Sequence, residues 1–231
     1  MVHANEPRLK YLETIGMVRH PEKQFVLRNY PQFNEIDTEY DEVYNDFVKW
    51  LGEDKCVYLQ GIVSTARADM ESIQAVLAIP NLKAVVVGSI QPKRMEELKQ
   101  RFDEVVLAER IYFTGRIKQL KTPQYIRKCC IALVFYKNTS PNNWYCEPNR
   151  LFQNVINGNP VVVGNNPPMK EFVEANHYGV SVDTDGSDVE KIVEGIKSIL
   201  DNPNDYKDFY IGNALWNKQD GVIEEIVKIF I

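Results

Sequence analysis

From Lys55 onward, short apolar runs alternate with longer stretches in which apolar residues recur every three or four positions. The runs are Cys56–Gln60, Ala84–Val87, Ile111–Phe113, Ile131–Tyr136, Pro160–Val163 and Gly179–Val182, each of strand length. The stretches between them predict helices over Ala66–Ala78, Lys93–Phe102, Gln119–Lys128, Asn149–Asn157, Pro168–Asn176 and Asp188–Leu200. Two more polar helices are expected in the tail, around Asp205–Asn213 and Asp220–Phe230. Parallel strands need crossovers, and crossovers are nearly always right-handed helices. The alternation therefore predicts an α/β fold, a Rossmann-like doubly wound parallel sheet of about six strands. In such sheets ligands bind beyond the carboxyl ends of the strands, so chemistry belongs in the loops that leave them.

The first fifty or so residues read differently. They are polar and interrupted by Pro7, Pro21 and Pro31. A short helix is expected over Arg8–Ile15, a short strand over Gln24–Arg28, and an amphipathic helix over Glu39–Leu51 with Tyr40, Val43, Phe47 and Leu51 on one face. These pieces lack the apolar content for a separate core. The expected organisation is a lead-in over residues 1–53, the α/β domain over 54–214 and a terminal helical segment over 215–231.

Composition bounds the reading. The chain has 231 residues, 44% hydrophobic and 26% charged, which excludes disorder, collagen-like repeats and coiled coil. With 27 basic against 32 acidic residues the net charge is −5, so bulk positive charge for nucleic-acid binding is absent and any phosphate site must be local. No apolar run approaches the roughly 18–20 residues that cross a bilayer. The start of the chain has neither the basic nor the apolar region of a signal peptide, so a cytoplasmic protein is expected. Cys56, Cys129, Cys130 and Cys146 show no C-x-x-C spacing and are expected to be reduced thiols.

Four strand exits carry information. In Tyr58-Leu59-Gln60-Gly61 and on to Arg67, Gly61 lets the backbone approach a ligand, and Arg67 lies near a helix start where amides and a guanidinium can hold a phosphate. The same residues equally fit a plain strand-end turn followed by a solvated arginine. Gly88 and Gly115 mark two further tight exits, which most often merely close a turn. The fourth exit is richest: a long polar loop follows the most apolar strand, Pro148 sits at a helix start, and Gly158 ends that helix. Arg150 and the first-turn amides are placed to bind a diphosphate, and Gln153, one turn on, to hydrogen-bond a ribose or sugar hydroxyl. A long ordered loop in a compact domain is more often functional than not.

The run Thr139-Ser140-Pro141-Asn142-Asn143, then Pro148-Asn149-Arg150-Leu151-Phe152-Gln153, then Gly158-Asn159-Pro160-Val161-Val162 resembles the donor-binding signature of the group 1, GT-B-fold retaining glycosyltransferases, such as bacterial polysaccharide glycosyltransferases. Tyr58 to Arg67 is similar to that family's first donor-domain loop, and Val26 to Pro31 to its interdomain connection. The resemblance covers roughly residues 5–231 and implies one half of a GT-B fold. It implies donor contacts from Gly61, Arg67, Gly115, Asn142, Asn143, Asn149, Arg150, Leu151 and Gln153, with the arginines at the phosphates, the asparagines near the sugar, Gly115 near the base and Gln153 at the ribose. The implied donor is a UDP- or GDP-linked sugar, with no further cofactor and no metal site; catalytic residues are not assigned.

The sequence departs from the family in places. Gln153 stands where members carry a glutamate, Tyr145 where they carry an earlier acidic residue with Glu147 nearby, and Ile62 where many place an arginine. A complete enzyme also needs an acceptor-binding half, in cis or in trans. The resemblance therefore implies a hexosyltransferase donor domain, serving a saccharide or lipid-linked acceptor, that is inactive alone and whose full enzyme associates peripherally with the inner membrane face. The alternatives are a non-catalytic nucleotide-binding or interaction module and, ranking lower, half of a sugar-nucleotide epimerase.

Overall fold

The alternating pattern is realised as a parallel sheet of six strands in a computed structural model that describes residues 1–31, 42–61 and 64–229. In chain order the strands are β1 (Val2–His3), β2 (Phe25–Val26), β3 (Lys55–Gln60), β4 (Leu82–Val87), β5 (Ile111–Gly115), β6 (Ile131–Val134), β7 (Val161–Val163) and β8 (Gly179–Ser181). The helices are α1 (Glu6–Thr14), α2 (Glu42–Leu51), α3 (Asp69–Leu77), α4 (Pro92–Arg101), α5 (Glu104–Arg110), α6 (Thr122–Ile126), α7 (Pro141–Trp144), α8 (Asn149–Ile156), α9 (Pro167–Asn176), α10 (Val189–Asp201) and α11 (Asp220–Lys228). The strand order β5-β4-β3-β6-β7-β8 runs outward in both directions from β3 and β6. That reversal is the doubly wound arrangement, and it opens a crevice at the carboxyl ends of those two strands.

Central strands of this kind are apolar on both faces because helices cover both. One face packs Ile73 and Val76 of α3, Leu98 of α4, Leu107 of α5 and Ile192, Ile196 and Ile199 of α10. The other packs Tyr44, Phe47 and Leu51 of α2, Tyr125 and Ile126 of α6, Leu151, Phe152 and Val155 of α8, and Phe172 and Val173 of α9. Helix α10 begins where Asp188 accepts from the Glu190 and Lys191 amides, and α5 where Asp103 does the same for Val105 and Val106.

Several expectations are corrected. The helix expected over Ala66–Ala78 is broken: a 3-10 turn at Thr65–Arg67 precedes α3, with Ala68 between them in the left-handed region at φ +51°. Helix α5 is absent from the pattern because seven residues present too little of an apolar stripe. The helix expected over Asp205–Asn213 is instead a chain of 3-10 turns, Pro203–Tyr206, Ile211–Ala214 and Trp216–Gln219. Tertiary bonds set its path: Tyr178 donates to the Tyr210 carbonyl at 2.8 Å and Asn213 to Asn176 at 2.8 Å. In α2 the buried face runs through Tyr44 rather than Val43, which is exposed, and Tyr40 lies outside the described residues.

The lead-in is fastened to the domain. Strand β1 pairs in parallel with β2, α1 lies against α9, and Asn5 caps α1 while donating to the Tyr145 carbonyl at 3.0 Å. Gln219, just before α11, takes the backbone of Arg28 from both sides, accepting from its amide at 2.5 Å and donating to its carbonyl at 3.0 Å.

Helix α2 precedes the first central strand yet fills its lower face. Phe47→Ala, at a fully buried position, should lower unfolding free energy by about 3–5 kcal/mol. Val43→Ala on the outer face should change it by about 0.5 kcal/mol or less. Urea titration of both variants checks the difference, and equal small effects would mean that α2 is an appendage.

Candidate functional site

At the crevice, β3 ends at Gln60 and β6 continues into Phe135 and Tyr136. Arg150, one residue into α8, reaches across the gap between them. Its Nη1 donates to the Gln60 carbonyl at 2.6 Å and its Nη2 to the Phe135 carbonyl at 2.9 Å. The guanidinium carbon lies 4.9 Å from the centre of the Tyr136 ring, and that of Arg67 lies 5.7 Å from the same ring. Aromatic faces hold cations in this way. Burial lowers the pKa of Arg150, Tyr136 raises it and Arg67 lowers it again, so two positive charges share a partly dry crevice.

The approach of Arg67 depends on a missing side chain. Gly61 sits at φ +110°, and a Cβ there would lie 2.1 Å from Arg67 Nη1. Gly88, at φ +141°, backs it: its own Cβ would lie 2.3 Å from the Gly61 carbonyl oxygen. Asp69 also lines this cavity, and Arg94 binds its two carboxylate oxygens at 2.7 and 2.5 Å.

Helix α8 starts at Pro148 without a capping side chain, so its end presents amide dipoles toward the crevice. Gln153 lies one turn on from Arg150. Gln60 Nε2 donates to Gln153 Oε1 at 3.1 Å, so the end of β3 and the face of α8 meet through these two amides. Two polar atoms here are buried with no hydrogen-bond partner, Gln60 Oε1 and Arg150 Nε. Buried polar groups are normally paired, and orphans of this kind mark places that a ligand or water completes.

Gly61, Arg67, Arg150 and Gln153 are thus brought together. Leu151 is not: its side chain is fully buried in the core, and its amide donates to the Pro148 carbonyl at 2.9 Å. Asn142 is exposed and accepts from Arg8 at 3.2 Å. Asn143 donates to Thr139 at 2.8 Å and its carbonyl takes Asn166, so both asparagines shape α7 and its contact with the lead-in. Asn149 is exposed at the first position of α8, and Gly115 ends β5 with open space where a Cβ would stand. Ile62 lies outside the described residues. Gln60 and Tyr136 are the members that the sequence pattern did not single out. Their only signal is position, the last strand residue before Gly61 and the aromatic ending the most apolar run.

Beneath α7 the lead-in meets the same loop. Tyr145 stacks on Tyr11 with ring centres 4.8 Å apart. Glu147, with its side chain almost fully buried, pairs with Arg28, while its Oε2 has no partner. Burial outweighs Arg28 and raises the Glu147 pKa to about 8. No group of three or more His, Cys, Asp or Glu side chains among the described residues is placed to hold a metal ion, and no helix among them is long and apolar enough to cross a membrane.

A model of the family described as "Glycosyl transferases group 1" matches residues 69–214, more than half of the chain. No curated protein sequence matches it. Among solved structures, HepE (Alr3699) of Anabaena, determined with UDP, superposes with a TM-score of 0.75 at 16% identity over 99% of this chain and 61% of that one. Sucrose-phosphate synthase of Thermosynechococcus elongatus gives a TM-score of 0.72 at 15% identity over 99% of this chain and 57% of that one. The C-terminal domain of the group 1 glycosyl transferase LpcC from Francisella tularensis gives 0.54 at 17% identity over 83% of this chain and 94% of that domain. These superpositions show the fold, one Rossmann-like half of a GT-B arrangement, and the chain spans about three-fifths of the length of the first two proteins.

The state of Glu147 can be read from stability. Its folded pKa of about 8 lies above the ordinary 4.5, so between those values the folded chain keeps a proton that the unfolded chain has lost. Stability should therefore fall as pH rises from about 4.5 to 8, by at most about 1.4 kcal/mol per pH unit for one proton. Glu147→Gln, which mimics the protonated side chain, should flatten that slope in urea titrations at pH 5 and 8, and an unchanged slope would place Glu147 in its ordinary ionised state.

Proposed function

The chain belongs to the group 1 glycosyl transferases, and from that membership we propose that it is the donor-binding domain of a retaining enzyme that transfers a hexose from a nucleotide diphosphate to a saccharide or lipid-linked acceptor. The observation that carries this reading is that Arg67 and Arg150 both lie at the Tyr136 ring beside the uncapped start of α8. Two like charges held close in the free protein gain most from a ligand that brings two or more negative charges between them, and a diphosphate does so. As the glycosidic bond breaks, negative charge grows on the departing diphosphate, and guanidiniums already in place stabilise it without reorganisation. HepE is seen with UDP, and separately with UDP-glucose, which supports a uridine nucleotide as the first donor to test, with GDP-linked sugars next.

In this reading residues 54–214 hold the donor, with the base near Gly115, the ribose at Gln153, and the sugar toward α7 and Asn149. Residues 1–53 and 215–231 form the junction to an acceptor-binding half, in cis or in trans, and transfer needs that half. The full enzyme acts in the cytoplasm, where a lipid-linked acceptor would bring it to the membrane face. A second reading, a nucleotide-binding module without turnover, is favoured by one observation: Tyr145, at the position of the family's first acidic residue, is committed to stacking on Tyr11. Supplying an acceptor half in trans separates the two, since transfer supports the enzyme and silence the module.

Calorimetric titration with UDP, GDP and their glucose and mannose conjugates tests the binding claim. Arg150→Ala should weaken diphosphate binding by about 10- to 100-fold, the worth of a charge-assisted hydrogen bond. Binding that is absent for every nucleotide at millimolar concentration, or equal in the variant, would remove the reading.

A further inference from the structure

Gln153 occupies the place that the resemblance gives to a ribose-binding glutamate, and its surroundings change what it offers. A carboxylate has only acceptors, so it requires the ribose hydroxyl to donate. The amide of Gln153 is already half used: its Oε1 accepts from Gln60 Nε2 at 3.1 Å, and no described residue accepts from its Nε2. Gln153 is half-buried, so this NH2 group is the part left to meet a ligand.

Gln60 is itself held in place. Its carbonyl takes Arg150 Nη1 at 2.6 Å, and its residue ends β3 against the same guanidinium. Its side-chain Oε1 is buried without a partner, as is Arg150 Nε. Turning both amides over would keep the bond between them but make Gln60 Nε2, with two N–H groups, the buried atom without an acceptor, in a residue that lines the same cavity as two arginines, so the sense with the Gln60 NH2 aimed at Gln153 is the favourable one.

We propose that Gln60 is a positioning residue that turns the Gln153 amide so that its NH2 faces the crevice, and that this chain recognises the donor's ribose by donating to a hydroxyl oxygen, the reverse of a carboxylate's polarity. The inference rests on the donor-binding reading above. It makes Gln60 a determinant of nucleotide recognition, although it stands in another element and 93 residues away. It also explains how a neutral residue can serve at 153. A hydroxyl both donates and accepts, so the ribose is still held, and its own proton is left for a second partner.

The test is nuclear magnetic resonance of the glutamine side-chain amides in the full chain, with the Gln153 signal assigned by its loss in Gln153→Glu. In the free protein, Gln153 Nε2 protons should exchange rapidly with water. On addition of UDP, one of them should shift downfield and its exchange should slow by about tenfold or more. In Gln60→Glu, a carboxylate facing Gln153 accepts from Nε2, so the same protons should be protected before UDP is added and should not move on binding. Protection of Gln153 Nε2 in the free wild-type chain, or no change while the backbone amides of residues 149–153 shift with UDP, overturns the proposal and leaves donor binding standing. If neither UDP nor GDP perturbs any amide, the donor-binding reading falls and this proposal with it.

Discussion

Everything in the crevice hangs on one bridge, the Arg150 guanidinium bonded to the carbonyl of Gln60 at the end of β3 and to that of Phe135 just past β6. Where a doubly wound sheet reverses direction, its two central strands end without a crossover above them, and their final carbonyls point into the crevice. Such groups need partners, because a buried carbonyl left alone is costly. Arg150 supplies both bonds from a single planar group, which also fixes that group's plane against Tyr136. The cation is thus part of the scaffold, and α8 is locked to the sheet by Arg150 as well as by Leu151, Phe152 and Val155 beneath it.

A scaffold of this kind restricts what can stand nearby. Arg67 comes from a turn rather than a helix, and it can lie beside Arg150 only because Gly61 has no side chain and Ala68 takes a left-handed conformation before α3 begins. Asp69, which lines the same cavity, is held by Arg94. Each of these features is locally unfavourable, whether a strained backbone, a like-charge contact or an orphaned polar atom, and their concentration at one strand end marks the site more sharply than any single residue. The large apolar core on both faces of the sheet is what lets the fold tolerate them.

The physical distinction between what the sequence revealed and what it hid is range. The strands were legible because parallel central strands are apolar throughout, and Arg150 with Gln153 because a helix brings residues three apart onto one face. Gly61 and Arg67 were legible as a turn before a helix. Tyr136 and Gln60 were not, since their roles require knowing that β3 and β6 are neighbours, a fact of topology carried by no local pattern. Leu151 sits inside a recognisable signature, and its position on α8 turns its side chain into the core. Val43 and Tyr44 differ by one place, and a single step of 100° decides which one is buried.

Long-range contacts also join the lead-in to the loop before α8 and to the tail. Arg28 and Glu147 are 119 residues apart, and neither belongs to a periodic pattern. Their pair sits directly before Pro148, so the segment that leads out of β2 bears on the start of the helix that carries Arg150. Gln219 grips the same segment from the other side, and Tyr30 packs edge-on against Phe152 of α8 with ring centres 4.9 Å apart. A displacement of the lead-in would therefore act on α8 through packed rings, the Arg28–Glu147 hydrogen bond and two backbone bonds rather than through a flexible tether. On the proposed function the lead-in is the junction to the acceptor-binding half. The same contacts that stabilise this domain would then transmit the position of its partner to the guanidinium at the sheet's reversal point.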